Sequence, residues 1–327
     1  MNDIKIAQVG CGYWGKNLAR NFAELGALVA VVDGHAETAT RMTEQHGVPT
    51  CTLDEVLTDP AIHGVSFATP AETHAALAVK AIKAGKSVYV EKPLALNIGD
   101  AEVLIAQAAS ADKVLMVGHL LQYHPVMRRL QDLVESGELG AVRYVYSNRM
   151  SLGKFRLEEN VLWSFAPHDF SMILSLVGEE PQTITAQGAA YVTPGLADWV
   201  TTQFVFPSGV RGHVQASWLH PFKEHRLVVV GDKAMAVFED SNPDWDKKLA
   251  LYRHGIDSDG PLPTPVKADA DFVAVEKGEP LKEECRHFLD CIAAGTSPRT
   301  DGIEGLAVLR VLHAAETALE KSLRAPL

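Results

Sequence analysis

The sequence predicts an α/β chain in two parts. The first is a doubly wound parallel sheet over residues 1–120. The second is an α+β domain over residues 121–327 with a large, mainly antiparallel sheet. Three observations carry this. A glycine-rich turn joins the first strand to the first helix. Apolar strands then alternate with helices of about ten residues as far as Gly118, the pattern of a parallel sheet covered on both faces. Beyond Val142 the period shortens to two residues, with turn signals such as Pro207-Ser208-Gly209 between runs, which suits antiparallel strands.

Ile4 to Val9 is the first apolar strand, and Gly10-Cys11-Gly12-Tyr13-Trp14-Gly15 leads from it into a helix over Lys16–Leu25. Leu28 to Val32 is the second strand and ends in Asp33. Strand, G-x-G-x-x-G, helix, strand and acid in this register are the parts of a dinucleotide-binding Rossmann unit. Gly10 makes the turn, Gly12 lets the backbone approach a pyrophosphate, and Gly15 lets helix and strand pack closely. Tyr13 and Trp14 lie inside the same cradle, and the helix N-terminus offers N–H groups to phosphate. Asp33 suits the ribose hydroxyls of NAD. Gly34 and His35 bring no arginine for a 2′-phosphate, so NAD is expected over NADP.

Helices follow at Ala36–His46 and Leu53–Thr58, a strand at Gly64–Ala68, a helix at Glu72–Ala84, then Val88-Tyr89-Val90-Glu91-Lys92-Pro93. Thr69, Pro70 and Lys92 fall at strand carboxyl ends, on the edge where open parallel sheets bind ligands; Glu91 precedes the lysine. His74 stands one turn into its helix, within reach of that cleft or on the helix surface. A cis bond before Pro93 is open to the chain. A helix at Asp100–Ala111 and a strand at Val114–Val117 complete this part.

In the second part, Tyr123–Ser136 reads as an amphipathic helix. Strands follow at Arg143–Asn148, Thr183–Val192, Trp199–Phe206, Arg211–Trp218, Arg226–Gly231, Met235–Glu239 and Leu249–Tyr252. Ser258–Pro265 reads as a surface loop, and helices at Leu281–Ala294 and Gly302–Leu323 end the chain. Ser164 suits the N-cap of a helix that places His168 in its first turn, where the dipole favours a neutral imidazole base. Asp169 reads as complementing that dipole. Arg149, Lys154 and Arg156 put three cations in a loop that could hold a carboxylate or diphosphate. The substrate side is read as Lys92, Tyr123, Arg149, Lys154 and His168.

The chain has 327 residues, 47% of them hydrophobic, and a net charge of −11, which disfavours a nucleic-acid partner. No apolar run reaches the roughly 18 residues of a membrane span, and no signal-peptide pattern opens the chain. Cys11, Cys51, Cys285 and Cys291 have neither metal spacing nor a disulfide framework, which fits a reduced, cytoplasmic protein without a metal.

The glycine loop, Thr69-Pro70 with His74, and above all Glu91-Lys92-Pro93 resemble the glucose-fructose oxidoreductase/inositol dehydrogenase (Gfo/Idh/MocA) family over essentially the whole length. The resemblance implies an NAD-dependent oxidoreductase that moves a hydride between nicotinamide and a sugar hydroxyl. Lys92 is then the lysine of the E-K-P motif and His168 the histidine of a second-domain D-x-x-x-H motif. Ser164 stands where that motif has aspartate, which shifts weight toward Lys92. Val161-Leu162-Trp163 and Pro167-His168-Asp169 look more like nucleotide-sugar and lipopolysaccharide-sugar members, of the UDP-hexuronate 3-dehydrogenase kind, than inositol dehydrogenases. A polyol dehydrogenase and a non-catalytic NAD-sensing regulator are the alternatives. A homodimer or homotetramer through the second sheet is expected, since no second helical layer is evident to cover it.

Overall fold

The computed structural model describes residues 3–153 and 155–324. The chain divides into two compact units. One runs through Tyr123 and also takes up Gly278–Leu309; the other holds His124–Lys277 and resumes at Arg310. The first break lies near the expected residue 120. The return of residues 278–309 was not foreseen, and its cause is helix α8 (Pro280–Ala294). Its Leu281, Cys285, Phe288 and Leu289 join the core formed by Ile6, Phe22, Val31, Tyr89 and Met116. Phe288 meets Tyr89 edge-on at 5.9 Å and Phe22 at 6.4 Å. A helix's apolar stripe shows in sequence, but the surface it covers does not.

In the first unit five parallel strands, β1 (Ile6–Val9), β2 (Leu28–Val32), β3 (Gly64–Phe67), β4 (Ser87–Glu91) and β5 (Leu115–Gly118), lie in the order β2-β1-β3-β4-β5. Strands β1, β3 and β5 are buried at every position, as a sheet packed on both faces requires. Helices α1 (Gly15–Glu24), α2 (Ala36–His46), α3 (Leu53–Thr58), α4 (His74–Lys83) and α5 (Ile98–Ser110) connect them. The strand order reverses between β1 and β3, so the loops after those strands form the switch-point crevice where such sheets take a ligand. Between α2 and α3, Thr50 makes a single parallel bridge to Val31. All four cysteines lie in this unit as free thiols; Cys11, Cys285 and Cys291 are buried and Cys51 is half-buried.

The second unit is built on an eight-stranded sheet: β6 (Val142–Met150), β7 (Thr183–Ala189), β8 (Trp199–Val205), β9 (Arg211–Ser217), β10 (Glu224–Gly231), β11 (Met235–Glu239) and β12 (Leu249–Tyr252). After a small hairpin of β13 (Gly255–Asp257) and β14 (Thr264–Val266), β15 (Ala270–Phe272) closes the order β15-β12-β11-β10-β6-β9-β8-β7. Only β6 and β9 pair in parallel; the remaining neighbours are antiparallel. Most of Ser258–Pro265, expected as a loop, is the connection of that hairpin, and only Thr264 and Pro265 enter β14. β7 stops short of Val192 because the N–H groups of Tyr191 and Val192 both donate to Asp198, at 2.6 and 2.8 Å, and turn the chain. Helices α6 (Pro125–Glu135) and α7 (Val161–Val177) pack on this sheet. The last helix, α9 (Gly302–Arg324), begins in the first unit and ends in the second.

Helix α6 starts on a buried histidine. His124 Nδ1 accepts the N–H of Val126 at 3.1 Å, and its ring stacks on Trp245 at 5.5 Å and lies against Phe238 at 4.9 Å. Burial lowers its pKa to about 4, against the pull of Asp240, whose carboxylate stands 3.6 Å from Nε2. The folded pKa is below the unfolded value, so this contribution to stability is present above about pH 6.5 and is lost as pH falls toward 4. Between pH 7.5 and 4.5 the wild type should lose about 2 to 3 kcal/mol more unfolding free energy than His124→Asn, which keeps a capping acceptor. Urea unfolding at both pH values reads this; equal losses would show that His124 does not titrate in that window.

Candidate active site

The glycine loop is shaped by close backbone approach. Gly10 has φ +80°, and a Cβ there would meet the Ala68 carbonyl oxygen at 2.6 Å, so the loops after β1 and β3 touch. A Cβ on Gly15 would lie 1.9 Å from the Gly10 oxygen. Around Gly12, by contrast, a Cβ would meet nothing within 4 Å, which leaves the backbone open to a pyrophosphate. No side chain caps α1 and no acid stands in its first turn, so its N-terminal field is unopposed. Asp33 lies beside this loop. Its Oδ2 accepts the Cys11 N–H at 2.7 Å and its Oδ1 the His35 N–H at 2.8 Å, which fixes the carboxylate and leaves lone pairs for a ribose diol. These residues fit a dinucleotide. Cys11, beneath them, is no nucleophile: burial, and then Asp33, push its thiol up to about 12.

The other residues expected at the cofactor mostly hold the crevice together. The Trp14 indole donates to Glu91 at 2.5 Å, and the Tyr89 hydroxyl and the Lys92 N–H reach the same carboxylate at 3.2 Å. Glu91 therefore ties the glycine loop to the end of β4 and has little left to offer a ligand. Burial raises its pKa, while Trp14 and Lys92 oppose that rise. Glu284 of α8, fully buried nearby, is pushed well above the usual carboxylate range by burial and then by Glu91, which favours its neutral form. His74 is the first residue of α4 and is buried. Its Nδ1 lies 2.8 Å from the Pro93 carbonyl and its Nε2 2.9 Å from the Thr69 carbonyl; burial lowers its pKa, and the neutral ring donates to one of the two while it packs between the strand-end loops. Thr69 bonds Thr73 through its hydroxyl at 2.7 Å, and Pro70 and Tyr13 are exposed at the rim. Lys92 follows β4, half-buried, with a cis bond to Pro93.

Tyr123, expected on the substrate side, is a core residue. Its hydroxyl bonds Thr300 at 2.9 Å, and burial raises its pKa. Tyr123 closes the short 3-10 turn Leu120–Tyr123 that follows β5, a turn whose Leu121, Gln122 and Tyr123 are all buried.

In the second unit, α7 begins four residues earlier than expected. Asn160 is the N-cap and accepts the N–H groups of Leu162 and Trp163 at 3.0 and 3.2 Å; its own amide bonds Glu316. Ser164 and Pro167 are thus inside the helix, and His168 sits two turns in, half-buried, away from the positive end. The positive end of the α7 dipole, expected to favour a neutral His168, is therefore too far along the helix to act on it. Arg149 is not a loop cation either. It belongs to β6, is buried, and grips Asp169 through Nε and Nη2, while Nη1 lies 3.2 Å from His225. Ser147 donates to the same carboxylate at 2.5 Å. Asp169, fully buried, is therefore the anchor of α7 on the sheet. Lys154 lies outside the described residues.

Residues 4–119 match the family described as oxidoreductase family, NAD-binding Rossmann fold, and residues 127–237 match the GFO/IDH/MocA C-terminal domain. The chain is 29% identical to UDP-N-acetylglucosamine 3-dehydrogenase of Acidithiobacillus ferrooxidans, over 99% of this chain and 100% of that protein. The solved structure of that enzyme superposes with a TM-score of 0.87 over 98% and 99% of the two chains. Myo-inositol 2-dehydrogenase of Thermotoga maritima is 25% identical over 97% of each.

Removing one partner of the Arg149–Asp169 pair strands a buried charge. Asp169→Leu should cost about 3 to 5 kcal/mol of unfolding free energy, and the double variant Arg149→Met/Asp169→Leu should recover most of it. Denaturant unfolding of the four members of this cycle decides; additive losses would mean that the two side chains are not coupled.

Proposed function

The chain belongs to the Gfo/Idh/MocA family of NAD-binding oxidoreductases, and on that premise we propose that it is an NAD-dependent dehydrogenase acting on a ring hydroxyl of a sugar carried on a nucleotide. The observation that carries this is the similarity to a UDP-sugar 3-dehydrogenase along the full length of both chains. Support comes from the fixed Asp33 carboxylate and the open backbone at Gly12, which suit NAD, and from Lys92 at the carboxyl edge of the sheet.

The nicotinamide, when bound, accepts or returns the hydride. The chain supplies binding, orientation and proton handling. Asp33 holds the ribose hydroxyls, and the α1 N-terminus faces the pyrophosphate. Lys92 donates a hydrogen bond to the substrate oxygen as charge develops on it, and His168 takes the hydroxyl proton. Asp169 is held by Arg149 and Ser147, and Ser164 replaces the family aspartate, so no carboxylate at either position steadies an imidazolium at His168. Lys92 accordingly carries the larger share.

The helices cover one face of the eight-stranded sheet. The opposite face presents Tyr144, Tyr146 and His213, stacked with ring separations of 6.3 and 5.0 Å. We place a homo-oligomer contact there. No helix of the described residues is long and apolar enough to cross a membrane, and the free thiols suit a cytoplasmic setting.

Lys92→Ala should lower turnover by about two to four orders of magnitude, with NAD affinity changed only a few-fold. NADH formation with UDP-N-acetylhexosamines, free hexoses and myo-inositol, together with NAD titration of the variant, measures both. Persisting turnover would remove Lys92 from the chemistry, and a preference for myo-inositol would replace the nucleotide-sugar reading.

A further inference from the structure

The buried stripe of α8 is mostly apolar, with Leu281, Cys285, Phe288 and Leu289, but Glu284 lies in the middle of it and is fully buried. The stripe covers the sheet face on which Tyr89 stands, where Phe288 meets its ring. Gln8, Ser66 and Tyr89 are paired in register on β1, β3 and β4, so their side chains share that face. The polar atoms left over there are short of donors. The Gln8 amide nitrogen is spent on the Val9 and Gly10 carbonyls, which leaves its Oε1 a buried acceptor with no donor. Neither oxygen of Glu284 accepts a hydrogen bond from any described residue, and no cation among them pairs with it. The charges that act on Glu284 are those of Glu91 and Glu304, both acids. The Tyr89 hydroxyl also bears on it, but that group has one proton and gives it to Glu91 at 3.2 Å. What Tyr89 can offer Glu284 is a lone pair. A buried carboxyl in such surroundings keeps its proton and is left to donate it.

Resting on the dinucleotide reading above, we propose that Glu284 is a positioning residue for the glycine loop: as a neutral acid it donates to the Tyr89 oxygen, and through the bonds that Tyr89 and Trp14 both make to Glu91 it lets α8 steady the loop that receives the nucleotide. The donor at Glu284 sets the direction of the series. With its oxygen engaged, the Tyr89 hydroxyl turns its proton to Glu91. Glu91 is then the one negative charge of the group, held by Tyr89, Trp14 and the Lys92 N–H. An ionised Glu284 would compete for the same Tyr89 proton and set a second buried charge beside the first.

Two measurements on the intact protein test this. Infrared spectra of protein carrying isotope-labelled glutamate should show, at neutral pH, a carbonyl band of a protonated carboxylic acid that Glu284→Gln removes. A spectrum with no such band, or one unchanged by Glu284→Gln, overturns the proposal with no ligand involved. NAD titration by calorimetry reads the positioning. Glu284→Leu, which cannot donate, should weaken NAD binding about tenfold, and Glu284→Gln, whose amide can, should restore it to within a few-fold of wild type. In a Trp14→Phe background, which lacks the indole N–H, Glu284→Leu should have no further effect, whereas a general loss of stability would act in both backgrounds. NAD affinity unmoved by Glu284→Leu, or lowered equally with and without the Trp14 indole, overturns the positioning role and leaves the NAD reading in place. A wild type that fails to bind NAD overturns both.

Discussion

The bond from the Trp14 indole to the buried Glu91 carboxylate is the join on which the nucleotide end of the first unit depends. It spans from the glycine loop after β1 to the last residue of β4, and the Tyr89 hydroxyl braces the same carboxylate from the sheet side. The space is full. A Cβ on Gly118, at the end of β5, would meet the Tyr89 hydroxyl at 2.7 Å and the Glu91 carboxyl carbon at 3.0 Å. Burial makes a carboxylate costly there, and the three donors offset the cost. The result is that Lys92, one residue on, leaves the sheet from a fixed point. His74 fills the space between the Pro93 and Thr69 carbonyls at the next turn, and its neutral ring donates to one of them. The acid of E-K-P and the histidine that accompanies it are thus framework, and the lysine is what the framework presents.

The second unit uses an ion pair for the same purpose. Asp169, next to His168 in the chain, points back into the sheet and is held by Arg149 and Ser147 of β6. Arg149 continues to His225, which with His124 and Lys248 gathers around Asp240. Burial opposes ionisation of Asp240, but these neighbours hold its pKa well below the usual carboxylate range. A line of paired charges therefore underlies the face of the sheet on which α7 lies. It fixes the helix in register, and with it the direction in which His168 leaves it.

Much of this was legible beforehand. The glycine loop, the alternation of strands and helices, and the change of period after Gly118 each follow from local rules: backbone sterics, two-sided burial, one-sided burial. α2 and α3 fall where their periodicity and caps place them. What could not be read were choices settled by partners distant in sequence. Ser164 and Asn160 are both good N-caps; Glu316, far along the chain, bonds Asn160 and the Trp163 indole and so favours the earlier start. Arg149 and His74 look like solvent-facing cations until the carboxylate and carbonyls they meet are known. Tyr123 looks like a polar ligand until Thr300 is placed against it. In each case a polar side chain was assigned outward, and the fold turned it inward to satisfy a buried group.

Every sulfhydryl of the chain belongs to the first unit, three of them sealed in its core. Alkylating reagents can reach those three only when that unit opens, and the second unit contributes no background to the signal. Labelling rates would therefore report breathing of the nucleotide half in isolation, and protection by added dinucleotide could be followed without attaching a probe.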